Sequence, residues 1–156
     1  MLEELLLRLT LLTAILIAPS KKLLFAFENR RKRKYEIIAI TNQKGGVGKT
    51  TTAAALIASL SESGYKVLGV DLDPQGNLGF SLGVDIENVH TMYEVFKKQL
   101  PIDQAICTAT YGDLLASNIL LSGVELECNK PGREYMLKTE LSLVSARYDY
   151  IIIDTP

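Results

Sequence analysis

The sequence contains little of what metal-binding and disulfide-stabilised proteins are built from. It has one histidine, His90, and two cysteines, Cys107 and Cys128, which lie 21 positions apart and form no C-x-x-C pair. Structural zinc sites need clusters of such ligands, and a disulfide is not expected without a clear secretory signal. We therefore expect both cysteines to be small core or surface residues. His90, next to Thr91 in a predicted helix start, is expected to be a polar surface residue.

The sequence also lacks an excess of positive or negative charge and has few long apolar runs. The 156 residues are 47% hydrophobic and 22% charged, with a net charge of −1, which is an ordinary globular balance. This near-neutral charge predicts no bulk attraction to nucleic acid, although it is compatible with a local basic patch. The uncharged run from Leu9 to Ser20 is shorter than the roughly 20 apolar residues of a membrane span. Glu3 and Glu4 stand where a signal peptide carries positive charge.

Residues 1–34 differ in composition from the rest, and we predict that they form a leucine-rich and basic amino-terminal extension. Five consecutive basic residues, Arg30 to Lys34, end this segment. A loosely packed appendage is the favoured interpretation, and contact with a membrane surface or with nucleic-acid phosphates is the alternative. Because no methionine occurs between Met1 and Met92, a misassigned upstream start is a further interpretation. A short amphipathic helix is favoured by the spacing of Leu2, Leu5, Leu6, Leu9 and Leu12.

From Tyr35 onward, strand and helix patterns alternate, which indicates an α/β fold. The apolar run at residues 37–40 is continuous, which is typical of a strand buried on both faces. Further strands are predicted at residues 67–70 and 150–153. The segments between them predict a helix at 91–99, a short strand at 113–117 and a helix at 134–146. The helix after the first strand is marked by Ala53, Leu56, Ile57 and Leu60, with Gly64 just past its end.

Each of the three main predicted strands is followed by a polar cluster. The first leads into the loop NQKGGVGKTTTA, residues 42–53, the second into Asp71 and Asp73, and the third into Asp154. In an open parallel sheet the carboxyl ends of the strands share one edge, and ligands bind there. The sequence therefore predicts a ligand site at this edge.

The glycine loop has the composition of a phosphate-binding site. Gly45, Gly46 and Gly48 allow the backbone to turn tightly and to approach an anion closely. A helix that starts near Lys49 offers unpaired N–H groups and the positive end of its dipole. Lys49 is predicted to neutralise the β and γ oxygens of a triphosphate, and the Thr50 hydroxyl to ligate Mg²⁺. The alternative is a glycine-rich turn with no ligand.

A second lysine, Lys44, opens the loop, where a single lysine would suffice for binding. It is either a solvated loop residue or a second positive charge for the transition state, comparable to an arginine finger. Asp154, after three isoleucines, has the position of a Walker B aspartate that holds Mg²⁺ through water, or of a strand-terminal acid that binds backbone. Asp73 could orient or deprotonate the attacking water. Asp71 is a weaker candidate for this catalytic role, since a structural role at the end of the strand would explain its presence. Nearby Gln75 and Asn77 could donate to phosphate or shape the turn.

Three motifs carry a family resemblance. KGGVGKTT, residues 44–51, resembles the deviant Walker A motif of the ParA/MinD class of ATPases. Together with VDLDPQGN, residues 70–77, it is similar to the ParA (Soj-like) branch of chromosome- and plasmid-partitioning ATPases. YDYIIIDTP, residues 148–156, resembles the Walker B strand of that branch, and SNILLSGVELE, residues 117–127, weakly resembles the segment between. The resemblance covers residues 35–156 and implies a P-loop NTPase fold with a doubly wound, mostly parallel sheet.

The resemblance also implies a mechanism. Members of the family form an ATP- and Mg²⁺-dependent sandwich dimer, in which Lys44 would reach the nucleotide of the partner subunit. Lys49 would act in its own subunit as a catalytic residue, and Asp73 would position the attacking water. Thr50 and Asp154 would complete the Mg²⁺ site. The nucleotide-binding residues implied are Lys44, Gly45, Gly46, Val47, Gly48, Lys49, Thr50 and Thr51.

Partners and location follow from the same resemblance. ATP-bound dimers of the family bind DNA without sequence preference, and a ParB-type centromere-binding protein stimulates hydrolysis and resets them. The expected location is the bacterial cytoplasm, in association with the nucleoid.

The chain departs from the family pattern at its end. It stops at Pro156, just past the Walker B motif, whereas family members continue for about as many residues again as the matching part contains. We therefore expect an incomplete domain whose carboxyl-terminal half is missing, together with most of the adenine pocket and the main DNA-binding surface. We expect little ATPase activity from this chain alone. The alternatives are a MinD-like ATPase that cycles on a membrane and an inactive fragment that binds nucleotide without turnover. The front helix would favour the MinD-like alternative, whereas DPQGN, residues 73–77, argues against it.

Overall fold

The computed structural model of the chain describes residues 35–127 and 135–156. The predictions for residues 1–34 and for Cys128 lie outside these residues. Within them, every helix is too short or too polar to cross a lipid bilayer.

A five-stranded sheet forms the centre of the described residues. Its strands in chain order are β1 (Glu36–Ile40), β2 (Val67–Asp71), β3 (Cys107–Thr108), β4 (Asp113–Leu115) and β5 (Tyr150–Asp154). Their spatial order is β1-β5-β2-β4-β3. β1, β5, β2 and β4 are mutually parallel, and β3 pairs antiparallel with β4 at one edge. The mostly parallel sheet that the sequence predicts is confirmed.

Helices connect these strands. In the described part of the chain they are α1 (Lys49–Glu62), α2 (Asn77–Ser81), α3 (Met92–Phe96), α4 (Ile102–Ala105), α5 (Leu121–Glu127) and α6 (Met136–Val144). One 3₁₀ turn, Ser145–Arg147, leads from α6 toward β5.

The sheet separates two apolar clusters, because side chains alternate between the faces of a strand. Ile151 and Ile153 of β5 belong to the cluster that contains residues of α3, α4, α5 and α6. Ile152, between them, belongs to the cluster that contains α1 and α2 residues. β2 and β5 are buried almost throughout, as expected for central parallel strands. These two strands fix the edge where the polar residues follow.

Helix α1 forms as predicted, directly after the glycine loop. Ala53 and Ile57 are completely buried, and Leu56 and Leu60 pack partly buried against the same cluster. Gly64 follows the end of the helix with a φ of 86°, a left-handed conformation that glycine adopts without strain.

The prediction that the first strand is buried on both faces is wrong. In β1, Ile37 and Ala39 are exposed, and Ile38 and Ile40 are only partly buried. β1 lies at an edge of the sheet and pairs only with β5. Helix α1 packs against one of its faces, and no described element covers the face that carries Ile37. A continuous apolar run therefore marks this strand's composition but not its burial.

The remaining elements are shorter than predicted. The helix predicted at 91–99 forms only over Met92–Phe96, where Thr91 and Glu94 make a capping box. The strand predicted at 113–117 ends at Leu115, and the helix predicted at 134–146 covers Met136–Val144. Helices α2, α4 and α5 and strand β3 were not predicted, because segments of two to seven residues carry too little periodicity.

Candidate functional site at the carboxyl edge of the sheet

The glycine loop between β1 and α1 leaves its backbone open to solvent. Residues 41–48 are all exposed. Gly46 and Gly48 adopt left-handed φ angles of 68° and 85°, which explains why glycine occupies these turns. At Gly45, Gly46 and Gly48 an added Cβ would meet no atom within 4 Å. The space beside the loop is therefore open, and the fold itself does not use it for packing.

The loop is held in shape by a few hydrogen bonds. The Lys44 N–H donates to Oδ1 of Asn42 at 2.9 Å, and Nζ of Lys49 donates to the Lys44 carbonyl at 3.4 Å. Thr52 donates both its N–H and its hydroxyl to the Gly48 carbonyl, at 2.9 and 2.8 Å. The ammonium group of Lys49 thus lies over the loop and lines the cleft beside it.

The first turn of α1 is ready to receive an anion. Gly48, the N-cap residue, makes no side-chain cap, and no acidic residue occurs in the first turn. The N–H groups at the start of a helix have no intrahelical partners, and the helix dipole places partial positive charge there. Nothing in the sequence of this turn neutralises that charge internally.

Loop and helix form one side of a cleft of about 400 Å³. Asp73, which follows β2, and Asn77, the first residue of α2, lie on the other side. The cleft therefore brings together residues that follow β1 and β2, as the sequence predicts for this edge. Its full lining is Gly45, Gly46, Gly48, Lys49, Thr50, Thr51, Asp73, Asn77 and Pro156.

Asp154, the last residue of β5, is completely buried. Neither of its carboxylate oxygens has a partner in hydrogen-bond geometry among the described residues, although the Thr50 side chain and the Thr155 backbone are near enough to lower its pKa. Burial raises the pKa of Asp154, and the charge of Asp73 adds to this, while the Thr50 side chain and the Lys49 ammonium act in the opposite direction. An unpartnered buried carboxylate is costly, so a cation beside it would stabilise the site.

Asp71 is the neighbour of Asp154 across the sheet, since the two are paired in the register of β2 and β5. It is also completely buried. Burial, together with the charge of Asp154, raises the pKa of Asp71 to about 7, against the lowering effect of a hydrogen bond from the Asp73 N–H. Two strand-terminal carboxyl groups are therefore buried next to each other.

The residues present fit a Mg²⁺ ion. Asp154 offers two unpartnered carboxylate oxygens, and the Thr50 hydroxyl is close enough to influence its pKa. Within the described residues, no three histidine, cysteine or acidic side chains converge on one point as a complete metal cage. Mg²⁺ is commonly held by one or two carboxylates, with water and substrate phosphates as the other ligands, so this donor set suits it.

The predicted site residues fall into two groups. Gly45, Gly46, Gly48, Lys49, Thr50, Thr51 and Asp73 line the cleft. Lys44 and Val47 do not line it: both are exposed on the loop, and Asp154 lies close by. Asn77 lines the cleft although the sequence argument gave it no definite role. Its signal was its position directly after DPQG, four residues beyond Asp73.

The parallel sheet, the strand–glycine loop–helix unit and the Lys-Thr pair at the helix start define the chain as a P-loop NTPase domain. A family model described as "AAA domain" matches residues 35–156. The chain belongs to this family.

Relatives and solved structures refine the comparison. The chromosome partitioning protein ParA of Myxococcus xanthus is 44% identical over 124 residues, which are 77% of this chain and 44% of ParA. The sporulation initiation inhibitor protein Soj of Bacillus subtilis is 44% identical over 125 residues, 78% of this chain and 49% of Soj. These relatives confirm the ParA/Soj resemblance that the three motifs indicated. The chain spans about half the length of the curated relatives it matches.

Among solved structures, the cobyrinic acid a,c-diamide synthase of Mycobacterium smegmatis, crystallised with an ATP analogue and magnesium, superimposes with a TM-score of 0.74 at 42% identity. The match covers 78% of this chain and 51% of that one. This agreement confirms the predicted P-loop NTPase fold. That protein binds the two ligands for which the cleft and Asp154 described above are suited.

Proposed function

We propose that the chain is the nucleotide-binding part of a ParA-type ATPase that hydrolyses ATP with Mg²⁺ and acts in chromosome or plasmid partitioning. One observation carries the proposal. An open glycine loop, the start of a helix, and Asp73 surround a single cleft, and an unpartnered buried carboxylate, Asp154, lies next to it. The similarity to ParA and Soj proteins supports the partitioning role.

Each residue has a role in this proposal. Backbone N–H groups of the loop and of the first turn of α1 bind the phosphates, and Lys49 neutralises their charge. Asp154 and the Thr50 hydroxyl hold Mg²⁺, which supplies positive charge where negative charge builds up on the transferred phosphoryl group. Asp73, on the opposite wall of the cleft, orients the attacking water or takes its proton.

Lys44 acts in a second subunit. It is exposed and does not line the cleft of its own chain, so its charge is available to the nucleotide of a partner. A homodimer formed on ATP binding, non-specific DNA binding by that dimer, and stimulation by a ParB-type protein complete the proposed cycle. The cycle operates in the bacterial cytoplasm at the nucleoid. The division of the chain at residue 35 into an extension and a nucleotide-binding domain is part of the same proposal.

ATP binding by this chain is the direct test. We expect Lys49→Ala to weaken Mg²⁺-ATP binding roughly 10- to 100-fold, because a hydrogen bond to a charged group contributes about 1.5–3 kcal/mol. The measurement is titration with a fluorescent ATP analogue, with and without Mg²⁺. Lys138→Ala, which removes an exposed lysine from α6, is the matched control and leaves affinity unchanged. Equal affinities in the two variants would remove Lys49 from the site.

The two alternative functions give different results. A MinD-like ATPase would bind vesicles of anionic lipid in the presence of ATP, whereas the proposed ParA-type protein binds double-stranded DNA of any sequence and leaves vesicles in solution. An inactive fragment would bind ATP without hydrolysing it. Turnover measured with and without DNA therefore separates the enzyme from the binding module.

A further inference from the structure

The segment from Asp73 to Leu78, which carries the far wall of the cleft, is fastened at both ends to one buried side chain. Oδ1 of Asp71 accepts a hydrogen bond from the Asp73 N–H at 2.9 Å. Oδ2 of the same carboxyl group accepts one from the Leu78 N–H at 3.2 Å. Asp71 thus closes a loop of backbone that begins two residues after it and ends in the first turn of α2.

Inside this closed loop the backbone is further restrained. The Gln75 N–H donates to Oδ1 of Asp73 at 3.0 Å, and the Gly76 N–H donates to the Asp73 carbonyl at 3.0 Å. Gly76 has a φ of 67°, and an added Cβ there would lie 2.7 Å from Cδ1 of Ile86 and 2.9 Å from the Ser117 carbonyl oxygen. This turn therefore requires glycine at position 76, and the Asp71 carboxyl group holds both ends of the segment.

Asp71 itself has no access to the cleft. It is completely buried and is not among the residues that line the cleft. The two residues of the segment that do line it are Asp73 and Asn77. Asp73 donates its own N–H to Asp71. Asn77 is the neighbour of Leu78, whose N–H also donates to Asp71. Both lining residues are therefore held through Asp71.

We propose that Asp71 is a positioning residue, which fixes the segment 73–78 and so places Asp73 and Asn77 against the glycine loop. The inference rests on the proposed function, because it assigns to that function a residue which touches neither nucleotide nor water. The side-chain amide of Asn77 then belongs to the site as a hydrogen-bond donor to phosphate or to the attacking water. Asp71 determines how far this amide lies from the glycine loop.

Amide hydrogen exchange in the absence of nucleotide tests the positioning directly. The Leu78 N–H is in the first turn of α2 and has no intrahelical acceptor, so slow exchange of this amide reports its hydrogen bond to Asp71. Slow exchange of the Asp73 N–H likewise reports its own hydrogen bond to Asp71. In the unmodified chain we expect both amides to exchange at least about tenfold more slowly than those of the exposed loop residues 45–47. Exchange as fast as in that loop would overturn the inference, even if no variant folds.

The variant Asp71→Asn sharpens the test. Asparagine has nearly the same shape, but its NH₂ group faces one of the two N–H donors, so one bond is lost. We expect protection to fall at Asp73 or Leu78, while the Val70 amide in β2 reports any global loss of stability. Asp113→Asn changes a part-buried carboxyl group on the neighbouring strand β4 and is the matched control. An unchanged exchange pattern in Asp71→Asn would contradict the proposal.

Single-turnover ATP hydrolysis supplies the second readout. It is measured on a form that extends through the full length of the relatives, with protein in excess over labelled ATP. We expect Asp71→Asn to keep its ATP affinity within about threefold and to lose roughly 100-fold in rate, as misplacement of reacting groups does, thereby approaching Asp73→Ala. A loss of affinity with an unchanged rate would assign Asp71 to binding and overturn the inference. If the unmodified chain bound no ATP, the proposed function would fail, whereas the exchange experiment would still decide the positioning.

Discussion

At the scale of the residue, the glycines of this chain serve two different purposes. An added Cβ at Gly112 would lie 2.7 Å from the Val67 carbonyl oxygen, and its φ is 68°, so the fold itself requires glycine there. At Gly45 an added Cβ would meet no atom within 4 Å, and its φ is not in the left-handed region. The fold does not need glycine at this position, which supports the proposal that a ligand approaches the backbone there.

We therefore expect Gly45→Ala to leave the free energy of unfolding unchanged or to raise it by about 0.4–1 kcal/mol, because alanine restricts the unfolded chain. Its methyl group would occupy the space that a phosphate needs, and Mg²⁺-ATP affinity should fall by at least about tenfold. Urea unfolding and nucleotide titration measure the two effects. Gly112→Ala is the control, since strain of about 1–3 kcal/mol should appear in its stability. Full nucleotide affinity in Gly45→Ala would make Gly45 a turn residue only.

At the scale of the element, the position of a strand in the sheet determines what its apolar residues contribute. Ile37 of β1 and Ile151 of β5 are neighbours in the register, and therefore point to the same face. Ile151 is completely buried, whereas Ile37 is 49% exposed. The two residues have the same chemistry and nearly the same location, but only one lies beneath the helices of that face.

We expect Ile151→Ala to cost about 2–5 kcal/mol of unfolding free energy, as large-to-small substitutions in a core do. Ile37→Ala should cost less than about 1.5 kcal/mol, because only part of its area leaves water on folding. Urea unfolding of both variants measures the difference. Equal losses in the two variants would contradict the exposure of Ile37.

At the scale of the whole molecule, the two lysines of the loop have different proposed targets: Lys49 acts on the nucleotide of its own chain, and Lys44 on that of a partner subunit. Lys49 lines the cleft of its own chain and Lys44 does not. In a form that extends through the full length of the relatives, we expect Lys44→Ala to leave ATP binding by the monomer largely intact. The same variant should abolish ATP-dependent dimerisation and hydrolysis, because the charge needed by the partner's nucleotide is gone. Light scattering with size-exclusion chromatography, with and without ATP, measures the oligomeric state.

The Lys138→Ala variant again serves as the control, with dimerisation and turnover as in the unmodified chain. Turnover that survives in Lys44→Ala would remove the role across the interface. The present chain, which spans about half of the relatives' length, is the second protein in which to make the comparison.

Much of the fold could be predicted because its main signals are local. Four-residue apolar runs marked β1, β2 and β5, and the spacing of Ala53 and Ile57 marked α1. Short elements such as α4 and β3 have no such signal, and their positions depend on what packs against them. The prediction for β1 was wrong for a related reason. Its residues are apolar, but the neighbours on one face, and not its sequence, decide how much of it is buried.

The sequence by itself determined the local chemistry of the candidate site: a loop of glycines, Lys49 and Thr50 at a helix start, and carboxylates at strand ends. Only the tertiary structure showed how the two strand-terminal carboxyl groups are buried and hydrogen-bonded. Parallel pairing of β5 with β2, more than 80 residues apart in the chain, places Asp154 beside Asp71 and buries both. One is then left with unpartnered oxygens and the other bound to the backbone of the cleft wall. Burial and hydrogen bonding depend on residues distant in sequence, so the motifs, which favoured Asp154 over Asp71 for the metal, could not show these bonds.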